Sequence, residues 1–116
     1  MAKKIPKHFD GSMLKRSVKI RIIGKEAASD TTVTIKDLLL LKERVEVIGC
    51  LNLNDGGLEK DDLKYFSHIV DIHGSLVCRD NRLTSLKGCP PVIRGDFICT
   101  NNCLTSLMFS PKQIEF

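Results

Sequence analysis

Five cysteines, Cys50, Cys78, Cys89, Cys99 and Cys103, and three histidines, His8, His68 and His73, are the side chains of this 116-residue chain best suited to metal or thiol chemistry. A structural zinc site usually carries thiolates in C-x-x-C pairs, because two ligands from one tight turn can reach one ion. No such pair occurs here, so no metal and no cofactor is expected. The cysteine count is odd and no export signal precedes it, so the thiols are read as reduced. Cys78 and Cys99 are better read as small apolar core side chains. No nucleophile motif accompanies the histidines. The pair Asp61-Asp62 opens a helix-compatible segment, where the helix dipole favours acids, and "RIIGKEAAS" lacks the glycine spacing of a phosphate loop. No catalytic residue is assigned, and the chain reads as non-enzymatic.

Charge is the next chemical feature. Residues 1–26 hold eight Lys/Arg against Asp10 and Glu26, a balance of +6, whereas the other ninety residues balance at −2. A basic N-terminal arm over 1–16, with Lys3, Lys4, Lys7, Lys15 and Arg16, is therefore separated from a single domain over 17–116. Such an arm can neutralise phosphates, but Phe9 is its only aromatic residue, so bases would find little to stack on. Nucleic acid is accordingly a weaker expectation than an acidic protein surface. No apolar run reaches the ~20 residues of a membrane span and no apolar signal core is visible, so a cytoplasmic protein without a membrane partner is expected.

What must position these residues is a repeat. A shift of 21 pairs Ile72 with Ile93, Gly74 with Gly95, Leu76 with Phe97, Cys78 with Cys99, Asn81 with Asn102 and Leu83 with Leu104. A shift of 25 brings Val47, Gly49, Leu51, Leu53 and Leu58 under Ile72, Gly74, Leu76, Cys78 and Leu83, and a second such step reaches Val33, Leu38, Leu41 and Val45. Periods of 20 to 29 residues with L-x-L-x-x-N-x-L spacing predict an α/β leucine-rich-repeat-like solenoid of parallel strands. Alternation along each strand sends odd and even positions to opposite faces. Asn81 and Asn102 fall where the chain leaves a strand, where a buried amide can satisfy backbone groups the curve leaves unpaired. Gly56 occupies that position in the first full unit.

Helices on the outer face are predicted for the early returns "TIKDLLLLKER" and "EKDDLKYFSHI", and irregular turns for the later, proline-bearing "TSLKGCPPVI" and "TSLMFSPKQI". "KRSVKIRIIGK" predicts an N-terminal strand that caps the repeats, "EAASDTTV" a loop, and Lys112–Phe116 a strand whose edge is open to another copy or a partner.

The units "GSLVCRDNRLTSLKGCP" at 74–90 and "GDFICTNNCLTSLMFSP" at 95–111 resemble the short leucine-rich-repeat-like proteins common in bacteriophage genomes. The resemblance implies a virus-encoded factor that binds a host protein, such as a defence complex, and inhibits it by occupying a surface. Two other roles stay open: a virion or assembly component that self-associates through its C-terminal edge, and a nucleic-acid binder using the basic arm. For protein recognition the outward strand positions form the candidate surface, a small apolar spot of Val77 and Ile98 rimmed by His73, Arg79, Arg94 and Asp96.

Overall fold

A computed structural model describes residues 5–24, 30–105 and the backbone of 113–114. The chain opens with α1 (Gly11–Leu14) and β1 (Ser17–Ile22), then β2 (Thr31–Thr34), α2 (Ile35–Leu40), β3 (Val45–Val47), β4 (Leu51–Asn52) and β5 (Glu59–Lys60). A 3-10 turn over Asp62–Phe66 comes next, then β6 (Ile69–Ile72), β7 (Leu76–Val77), β8 (Arg82–Leu83), β9 (Val92–Ile93), β10 (Phe97–Ile98) and β11 (Gln113–Ile114). The main sheet runs β11-β9-β6-β3-β1-β2; two smaller sheets run β10-β7-β4 and β5-β8.

The repeat frame is visible in strand pairing. Leu51, Leu76 and Phe97 are register partners on adjacent parallel strands, as are Val47, Ile72 and Ile93, and β11 joins β9 with Ile114 opposite Ile93. Asn81 behaves as its position demands. Its Oδ1 accepts from the N–H groups of Gly56 and Leu58, both at 3.0 Å, and its amide donates to the carbonyls of Leu53, Cys78 and Arg79. Asn102 repeats this one unit later, accepting from Leu83 N–H and donating to Cys78, Cys99 and Thr100. Gly95 lets the strands come this close. A Cβ there would stand 2.6 Å from Ser75 Oγ and 2.9 Å from the Gly74 carbonyl carbon.

The expected leucine-rich-repeat-like solenoid is nonetheless corrected. The protein is a small α/β fold on a mixed sheet with two short α-helices. Val18 and Ile20 bury one face of β1, and β1 pairs antiparallel with both β2 and β3. A hairpin therefore occupies residues 17–34, with the expected cap strand as its first arm, and Val33, expected in a loop, lies on β2 opposite Val18. The radius of gyration is 13.3 Å, against about 13.4 Å for a compact chain of this length.

The outer helices are also corrected. α2 is capped by Thr34 Oγ1, which accepts from Asp37 N–H, but it lasts six residues and Leu41 is already extended. In 59–69 the backbone turns left-handed at Lys60 (φ 52°), after Glu59 and Lys60 have paired with Arg82 and Leu83. The next residues wind as a 3-10 turn, with Lys64 N–H donating to Asp61 and Ser67 N–H to Lys64. The "EAASDTTV" loop is corrected in its second half, since Thr31–Thr34 is a strand; residues 25–29 lie outside the described residues.

Residues 5–16 lie against the body. Phe9 is buried and Met13 fully so. Asp10 caps α1 by accepting from Met13 N–H at 2.9 Å, while its own N–H donates to the Gly56 carbonyl at 2.8 Å. His8 Nε2 meets the buried carboxylate of Asp62 at 2.5 Å, and Arg16 donates to the Asn52 carbonyl at 3.1 Å. Gly57 (φ 76°) makes room for this strap: a Cβ there would lie 2.3 Å from the His8 carbonyl oxygen.

Candidate functional site

Alternation on the three-stranded sheet separates core from surface. Leu51 and Leu76 are buried, whereas their neighbours Asn52 and Val77 reach solvent, and Ile98 stands beside Val77 in register. Val77 and Ile98 thus form the expected apolar spot, both partly exposed, with Arg79 and Asp96 exposed around it. The framework beneath is tied by short bonds. Arg79 N–H donates to Asn54 Oδ1 at 2.8 Å, and Asp96 N–H to Ser75 Oγ at 2.9 Å. Ordered strands present these side chains on backbone that has little freedom left to lose on binding.

His73 and Arg94 sit at the neighbouring edge, in a charge cluster with Glu46 and Asp71. The Arg94 guanidinium forks onto Asp71, Nη2 donating to Oδ2 at 2.7 Å and Nε reaching both oxygens at 3.1 and 3.2 Å. His73 Nε2 stands 3.3 Å from Glu46 Oε1 and 4.0 Å from Asp71 Oδ2. Glu46 and Asp71 are register partners on β3 and β6, so two like charges face each other across the ladder, an arrangement that is unfavourable unless compensated. Arg94 supplies the compensation and is fixed by it. The sequence columns place Arg94 and Asp71 in different rows, so this pair was not legible from alternation alone.

Glu46, Asp71 and His73 also bring three potential ligand atoms within 4.8 Å of one another, the one such group among the described residues. Arg94 already occupies both oxygens of Asp71, so a cation would have to displace a bidentate guanidinium.

The thiols are placed differently from one another. Cys78 is buried, Cys89 and Cys99 are half-buried, and Cys50 and Cys103 are exposed; all are free. Burial, and secondarily the charge of Cys99, pushes the Cys78 thiol up to about 12. Burial, with Cys78 and Cys99 behind it, does the same to Cys89, and burial raises Cys99 as well. These three are protonated at neutral pH and poor nucleophiles.

Of the residues assigned to the basic arm, Lys7 and Lys15 are exposed and Arg16 is held by Asn52; Lys3 and Lys4 lie outside the described residues. One basic residue absent from the sequence assignment, Lys36 at the start of α2, lines the same groove as Lys7 and Lys15. Its signal was the Thr34-x-x-Asp37 cap, which sets the direction of the first helical turn. No helix among the described residues is long and apolar enough to cross a membrane. No family model, curated protein or solved structure matches the chain.

Proposed function

We propose that the protein is a non-catalytic protein-recognition module whose contact surface is the outward face of β4, β7 and β10. The observation that carries this reading is the pair Val77 and Ile98, partly exposed on adjacent strands, with Arg79 and Asp96 exposed beside it and His73 and the Arg94–Asp71 pair at the neighbouring edge. An apolar centre with a polar rim on rigid backbone is the anatomy of a protein interface. The resemblance of residues 74–90 and 95–111 to phage repeat proteins supports a host protein as partner, inhibited by occupation of its surface. Five free thiols support a reducing cytoplasm as the place of action.

The test is comparative capture. Wild-type protein and the variants Ile98→Asp and Val77→Asp are immobilised, exposed to bacterial lysate, and bound proteins are identified by mass spectrometry, with circular dichroism showing that each variant is folded. A stoichiometric partner retained by wild type and lost from both variants supports the reading. A partner retained equally by all three, or a wild-type protein that only self-associates by light scattering, overturns it.

A further inference from the structure

We infer that a groove between residues 5–15 and the start of α2 binds an acidic peptide segment carrying aliphatic side chains. The groove encloses about 500 Å³ and is built on elements other than the strand face, so this inference stands independently of the role proposed for Val77 and Ile98. Its apolar lining comes from Ile5, Pro6 and Leu14, all half-buried. Lys7, Lys15 and Lys36 stand around it, exposed, and no carboxylate of the described residues lines it. None of the three ammonium groups has an ion-pair partner among the described residues. The nearest acids in the sequence, Asp10 and Asp37, are not among the residues that line the groove. Asp10 caps α1, and Asp37 follows Lys36 in the first turn of α2.

Three cations with no ion-pair partner among the described residues, set around an aliphatic floor, define the occupant by complementarity. Their field attracts carboxylates, and the floor offers an apolar side chain a place to leave water. Single-stranded nucleic acid would satisfy the lysines but needs exposed ring faces for stacking. Among the described lining residues the one aromatic ring, Phe9, is buried and packed edge-on against His8 and Tyr65 at 5.2 and 5.8 Å between centroids. The groove therefore favours a peptide over a polynucleotide.

Fluorescence anisotropy with three labelled probes tests this: four Glu-Glu-Leu repeats, four Glu-Glu-Ser repeats, and an oligothymidylate of the same charge. The leucine probe is expected to bind, to weaken as salt rises, and to bind about tenfold more tightly than the serine probe, from burial of apolar area. The variant Lys7→Gln/Lys15→Gln/Lys36→Gln should lose about fivefold, since each exposed ion pair contributes little on its own. Its melting curve should match wild type, because all three side chains are exposed. Val77→Asp should bind the leucine probe as wild type does. No binding of the leucine probe overturns the inference, as do equal binding of leucine and serine probes, tighter binding of the oligothymidylate, an unaffected triple variant, or loss on Val77→Asp.

Discussion

The two ends of the repeat region are finished in different ways. At the early end Gly56 and Gly57 replace the asparagine turn, and the strap of residues 5–16 fills the space with Met13 and Phe9, leaving Leu51, Leu53 and Leu58 with almost no exposure. In the last described turn the equivalent positions Phe97, Cys99 and Leu104 are half-buried, although Leu76, Cys78 and Leu83, one unit earlier, are fully covered. Identical sequence spacing thus yields different burial. At the early end the cover is the strap of residues 5–16.

That contrast can be broken most sharply at the strap. Met13→Ala should lower the unfolding free energy by about 3 kcal/mol, because a fully buried side chain leaves a cavity, while Leu104→Ala should cost roughly 1 kcal/mol for a side chain already half in water. Urea denaturation of both variants measures the difference. Equal losses would show that the two ends are closed alike.

The asparagines sharpen the comparison. Asn81 serves five backbone groups from a buried site and Asn102 serves four from a more open one. Asn81→Leu should therefore cost about 2–3 kcal/mol and Asn102→Leu about 1–2, since orphaned backbone groups near the surface recover water. Thermal melts with the reverse order would place the better-sealed turn at the later end.

The smallest effect concerns the thiols. In the folded state Cys78 and Cys89 stay protonated up to about 12, against an ordinary 9.0. A folded-state value raised above the unfolded one means that this contribution to stability is complete below pH 9 and declines as pH rises toward 12. The Cys78→Ala/Cys89→Ala variant should lose less stability than wild type across that window. In Ellman titration of native protein at neutral pH, exposed Cys50 and Cys103 should react promptly, and Cys78 and Cys89 only on unfolding; simultaneous release of all five thiols would contradict their burial.

Much of the later half was legible because its signals are local. The spacing of Leu76 and Phe97 set their register, and Asn81 and Asn102 marked the turn chemistry. The strand at 17–22 was readable from the alternation of Val18 and Ile20. The overall architecture was not legible, because whether a strand joins a sheet parallel or antiparallel depends on how the chain returns, and nothing in Thr31–Thr34 states that direction. The second expected helix failed at Lys60, where a left-handed backbone and a strand partner outweighed helix propensity. Asp55, Asp80 and Asn101 share that conformation at one repeated position, φ 54–59°. Asp and Asn tolerate it best, a cue that was present in "RDN" and "TNN".

At the front of the chain, positive charge masked the apolar pair Phe9 and Met13, four residues apart, which is the pattern of one helix face. Of the candidate surface, alternation separated Val77 from buried Leu76, whereas Phe97 and Ile98 are both half-buried. The groove escaped notice because Lys36 is distant in sequence from Lys7 and Lys15.

The strap also sets a timetable for the chain's birth. His8 closes on Asp62, 54 positions away, so residues 5–16 leave the ribosome well before their dock and must wait, unsheltered, until it has been synthesised. Contacts of such span are slow to close. A nascent fragment ending before Asp62 lacks the carboxylate on which His8 closes.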